Sequence, residues 1–127
     1  MRVIHIDTDK CSVSQKEFTI GRRGEHEFTE IQIHFQKWLD EWPGATVSAV
    51  YWRPDGQNFI ITPGVSESPI CWRPTKQQLS VHGPGVVELR LACGESRGKK
   101  PPIHVYIRPA PRETEDAPED ESPETDG

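Results

Sequence analysis

The chain has 127 residues, with 15 Lys and Arg against 20 Asp and Glu and a formal net charge of −5. That length fits one domain, and no apolar run approaches the ~18 residues that a membrane helix needs. Its three cysteines, Cys11, Cys71 and Cys93, are odd in number, widely spaced and free of any CxxC, which argues against both a disulfide framework and a structural zinc site.

The charge is not spread evenly. Residues 1–112 carry all 15 basic residues against 12 acidic ones, while residues 113–127 add eight acidic residues with no basic, aromatic or large aliphatic one. A segment of that composition cannot bury enough apolar surface to offset its ordering entropy, so a disordered acidic tail over 113–127 is expected behind a domain over 1–112. The opening MRVIHIDTDK has too short an apolar core for a secretory signal, and a cytosolic setting at synthesis is expected.

In chain order, Arg2 to Thr8 predicts a first strand, with Val3 and Met1 on one face and Ile4 and Ile6 on the other. Asp9 to Gln15 is polar and predicts a loop. Glu17 to Gly21 predicts a short second strand, and Arg22-Arg23-Gly24-Glu25 a turn. Ile31, Ile33 and Phe35 alternate with Glu30, Gln32 and His34, the pattern of a half-buried strand. Gln36 to Trp42 breaks that alternation, because Trp38, Leu39 and Trp42 fall at helical spacing before the stop at Pro43-Gly44. Val47, Ala49 and Tyr51 then alternate with Thr46, Ser48, Val50 and Trp52.

Asp55-Gly56 is a hairpin signal leading into a strand over Gln57 to Thr62, ended by Pro63-Gly64. Pro69 to Arg73 is a short extended piece, and Thr75 to Leu79 one helical turn capped by Thr75. His82 to Gly85 predicts a loop. Val87, Leu89 and Leu91 alternate with Glu88, Arg90 and Ala92. Glu95 to Lys100 predicts a basic turn, and Ile103, Val105 and Ile107 form one face of the last strand. About seven short strands, one short helical insertion and no long crossover helices predict an all-β, antiparallel, immunoglobulin-like β-sandwich.

Several stretches carry a family resemblance. They are Gly21-Arg22-Arg23-Gly24-Glu25, Thr29-Glu30-Ile31, Trp38-Leu39, Trp42-Pro43-Gly44-Ala45-Thr46 and Arg53-Pro54-Asp55-Gly56, then Gly83-Pro84-Gly85 leading into Val87-Glu88-Leu89-Arg90. Over about residues 17–108 the chain resembles the N-terminal immunoglobulin-like domain of upper-baseplate-type proteins from phages and prophages of Gram-positive bacteria. The resemblance implies a structural virion protein made in the bacterial host cytoplasm, a homo-oligomer assembling with other virion proteins, with no catalytic residues and no cofactor. Two features depart from the family: Glu95-Ser96-Arg97-Gly98-Lys99-Lys100 replaces its last polar turn, and an acidic segment stands where relatives continue into a coiled coil or receptor-binding module. These departures fit a stand-alone accessory virion protein.

Candidate chemistry is sparse. His5, Asp7 and Asp9 share one face of the first strand at a spacing a metal could use, although a solvated face is the plainer expectation. His34 and His104 are lone strand histidines with no assignable nucleophile, so no catalytic or metal residue is proposed. Trp38 and Trp42 are expected to cap the core. Trp52 and Trp72, each within a Trp-Arg-Pro triplet suited to cation–π packing, are the candidates for an aromatic surface that would serve an alternative carbohydrate-binding or adhesion role. Arg22 and Arg23, with Arg97, Lys99 and Lys100, are turn-borne clusters that could meet an acidic partner, including the chain's own tail. A nucleic-acid partner is not expected, because the net charge is negative and no aromatics interleave the basic residues; the third reading is an inhibitor that offers its acidic tail to a nucleic-acid-binding protein. Assembly is expected through Ile4 and Ile103, on weakly charged strands taken to be sheet edges.

Overall fold

A computed structural model describes residues 1–10 and 16–111. Cys11, most of the expected Asp9–Gln15 loop and the acidic segment 113–127 lie outside the described residues. The elements in order are β1 (Arg2–Asp7), β2 (Glu17–Arg22), β3 (Thr29–His34), α1 (Gln36–Glu41), β4 (Thr46–Trp52), β5 (Asn58–Val65), β6 (Ile70–Trp72), β7 (Gly83–Cys93), β8 (Ser96–Lys99) and β9 (Ile103–Arg108). No helix among the described residues is long and apolar enough to cross a membrane.

The strands form two sheets, one ordered β1-β3-β6 and the other β2-β9-β7-β4-β5, with β8 paired to the C-terminal half of β7. Period-2 patterning explains the core between them. Ile31 and Ile33 of β3 point inward, as do Val47, Ala49 and Tyr51 of β4, Val87, Leu89 and Leu91 of β7, and Ile103, Val105 and Ile107 of β9. Their polar neighbours face out, as alternation on a pleated strand requires. Phe35, Ala45 and Leu79 close the core from the connections.

The all-β sandwich expected from the sequence is the observed fold, but several details differ. The sheets are mixed rather than antiparallel: β1 runs parallel to β3, and β2 runs parallel to β9. Both pairs join strands that are not neighbours in the chain, because β2 leaves the first sheet and joins the second. Among the described residues nine strands replace about seven. Ser96–Lys99 folds back on β7 as β8 where a turn was expected. Pro63-Gly64 lies within β5, a strand with a free edge where proline costs no ladder bond, and the pairing with β4 shifts register there.

Gly83 to Gly85 belongs to β7 rather than to a loop. A Cβ on Gly85 would sit 2.8 Å from the Trp52 carbonyl oxygen and 3.1 Å from the Tyr51 ring, so only glycine lets β7 lie this close to β4. The Asp55-Gly56 turn is as expected, with Gly56 at φ +93° and the Arg53 amide donating to the Gln57 carbonyl at 2.8 Å. The Thr75 hydroxyl accepts from the Gln78 amide at 3.2 Å, capping the expected turn.

Candidate functional site

The residues singled out in the sequence do not converge on one place. Ile103 is 1% exposed and lies on β9, which is flanked by β2 and β7. The expectation that Ile103 marks an edge is therefore corrected: an apolar, weakly charged strand looks the same in sequence whether it faces solvent or is flanked on both sides. Ile4 does lie on β1, an edge strand among the described residues, but its side chain points inward and packs on the core. The residues that β1 offers outward are Val3, 43% exposed, and His5, with Met1 and Phe28 exposed at 68% and 59% beside them. Arg2 pairs with Thr29, so Met1 and Phe28 are next in that register and end the strands together.

The two tryptophans do not form a platform. Trp72 is 5% exposed, its Nε1–H donates to the Gln78 side-chain oxygen at 3.0 Å, and its ring lies 5.1 Å from that of Tyr51. It is a core residue, which corrects its placement on an exposed binding face. Trp52 is half-buried on the outer face of the other sheet. Together with the Arg90 guanidinium, the stronger partner, it holds the Glu88 carboxyl below the usual carboxylate range. Trp38 packs on the core as expected, beneath the Lys100 ammonium at 5.2 Å, whereas Trp42 is exposed.

The Trp-Arg-Pro triplets end β4 and β6, but their arginines do different work. Arg53 donates from Nε and Nη2 to the two Asp55 carboxylate oxygens at 2.8 and 2.7 Å. It also reaches the Gln77 carbonyl at 3.0 Å and the Ser80 hydroxyl at 2.8 Å, pinning the β4–β5 hairpin to the turn before β7. It stacks over Phe59, 5.4 Å from the ring centroid, rather than over its tryptophan neighbour. Arg73 instead donates to Glu30 across β6 and β3 at 3.1 Å.

The Arg53 fork holds the Asp55 carboxyl down to about 2. A lowered carboxylate contributes stability that is present above the unfolded value near 4 and is lost as pH falls through the folded value. Asp55→Asn is accordingly expected to flatten the acid limb of thermal stability between about pH 4 and pH 2, read by circular dichroism melts, while leaving the neutral-pH spectrum unchanged.

His5 and His34 meet each other. His5 Nδ1 lies 3.1 Å from His34 Nε2, with the rings stacked at 5.3 Å on the outer face of the first sheet. Asp9 does not complete a ligand set with His5: it accepts from Lys100 Nζ at 3.2 Å and from the Lys37 amide at 3.1 Å. Among the described residues, no group of three or more His, Cys, Asp or Glu is placed to hold a metal ion.

The basic residues regroup in a way the sequence does not show. Lys100 is tied to Asp9 and the Thr8 carbonyl, and Arg97 to the Gly94 and Ser96 carbonyls. Arg22 instead joins Arg2 and Arg108 in lining a cleft of about 290 Å³ at one end of the sandwich, together with Thr19, Gly21, Glu25 and Phe28. Arg23 does not line it. The β2–β9 pairing sets Arg22 opposite Arg108, and the packing of the first sheet on the second adds Arg2 from β1, which is why sequence spacing gives no sign of the cleft.

A two-sheet, mixed-sheet β-sandwich is the class of fold these observations define. In sequence, no family model matches the chain, and no curated protein matches it. Among solved structures the chain is similar to the N-terminal domain of phage TP901-1 ORF48, with 7% identity and a TM-score of 0.48, over 84% of this chain and 97% of that one.

Proposed function

We propose that the chain is a structural virion component of a phage or prophage, in the tail or baseplate or as an accessory protein, made in the host cytoplasm and working by protein–protein assembly rather than catalysis. The sequence resemblance to baseplate-type domains supports the class. The observation that carries the mode of action is β1, a strand with one side unpaired among the described residues and with Met1, Val3 and Phe28 exposed along it. An unpaired strand edge offers a row of amides and carbonyls to another chain, and apolar side chains beside it add the area that a stable contact needs. Its occupant on this reading is a second copy or another virion protein, over an interface of at least about 1,200 Å².

Val3→Lys tests this without touching the core. Sedimentation of the full chain is expected to show self-association, or a complex with a protein from the same particle, that Val3→Lys weakens at least about tenfold, the scale of 1.4 kcal/mol. A chain that stays monomeric at high concentration and is missing from virions of its source strain sinks the reading.

A further inference from the structure

We propose that the cleft lined by Arg2, Arg22 and Arg108 is a carboxylate-binding site, and that its occupant is the chain's own acidic segment 113–127. The inference does not depend on the virion reading. The three arginines come from β1, β2 and β9, so both sheets contribute. None of them forms an ion pair with a described carboxylate. Glu25, the one acidic residue in the lining, uses Oε1 to accept the Arg22 backbone amide at 2.9 Å. Three guanidinium groups against one carboxylate leave the cleft short of negative charge. Like charges held together raise the free energy of the empty cleft, and a bound anion relieves it. The planar, five-donor guanidinium suits carboxylates in particular, because it can meet both oxygens at once.

The position of the cleft selects the occupant. Arg108 is the last residue of β9, and Pro111, where the described structure ends, follows three residues later. Segment 113–127 carries eight acidic residues and no basic one. At up to about 3.6 Å per extended residue, Glu113, Glu115 and Asp116 cannot travel more than about 29 Å from Arg108. A tether that short presents the carboxylates at an effective concentration in the millimolar range, ahead of any free acidic peptide at cellular levels. Because the cleft opens to solvent, the attraction is screened and salt should release the segment.

The test compares the full chain with one truncated after Arg112, by NMR of the arginine side-chain Nε–Hε groups. Truncation is expected to shift Arg2, Arg22 and Arg108 and to leave Arg90 and Arg97, which are bonded elsewhere, in place. Molar sodium chloride should reproduce the truncation, and a synthetic peptide of residues 113–127 added to the truncated chain should restore the original positions. In the full chain, Arg22→Gln with Arg108→Gln should raise the amide exchange rates of 113–127, a readout that does not require the truncated chain to fold. The proposal is overturned if truncation moves none of the three arginines. It is equally overturned if their shifts depend on protein concentration, which assigns the occupant to a second copy, or if inorganic phosphate moves them while the peptide does not.

Discussion

Ile103→Lys is expected to abolish cooperative unfolding altogether, leaving a chain that circular dichroism shows as unfolded at 25 °C. Ile103 pairs with Val87 on an interior strand, in a core that holds no buried carboxylate among the described residues. A lysine there loses the isoleucine's transfer free energy and must either bury an unpaired ammonium or give up its proton. Either route costs several kcal/mol against a total stability of about 5–15 kcal/mol for a domain. Val3→Lys, one strand face away from the core, should change stability by no more than about 0.5 kcal/mol. If Ile103→Lys melts like the parent, β9 is not flanked on both sides and the sheet order β2-β9-β7 is wrong.

Tyr51→Ala should destabilise by about 3–5 kcal/mol, the range for removing a buried aromatic side chain. Tyr51 is fully buried, between the Trp72 ring at 5.1 Å and the Phe59 ring at 6.2 Å. Its hydroxyl donates to the Gln78 carbonyl at 3.2 Å. Tyr51→Phe keeps the ring and removes only that bond, so about 0.5–1.5 kcal/mol is expected. The two variants separate packing from hydrogen bonding in urea titrations. Both also differ from the parent in base. Burial pushes the Tyr51 phenol well above its usual value, so the folded chain holds it neutral while an unfolded chain ionises it near pH 10. The associated stability is complete below that pH and is lost as pH rises above it, and Tyr51→Phe should lack this alkaline loss.

Much of the fold could be read from alternation, because a strand with one buried face writes its period into the sequence. Glu30, Gln32 and His34 against Ile31 and Ile33 gave β3, and His104 against Ile103 and Val105 gave the inward face of β9. The Asp55-Gly56 turn and the helical spacing after Phe35 were equally local, and local signals survive without tertiary information. Partnering was not legible. Nothing in Ile103–Arg108 says that β2, some eighty residues earlier, lies along one side of it and β7 along the other. The same gap hid the Trp72 environment, where exposed Cys71 and Arg73 flank a buried indole, and it scattered the arginine cleft over positions 2, 22 and 108.

The parallel pairing of β2 with β9 has a consequence for how the chain acquires its structure. Glu17 pairs with His104 and Arg22 with Arg108, so the second sheet is closed by contacts that span nearly the whole described chain. Loop-closure entropy for such pairings must be met before they return any stabilisation, and topologies dominated by them fold slowly, in milliseconds to seconds. During synthesis, β2 has no partner in its own sheet until β9 has left the ribosome. Until then β2 is an unpaired, partly apolar strand, while β1 and β3 can already pair, so the nascent chain keeps one strand open to aggregation until its last strand arrives.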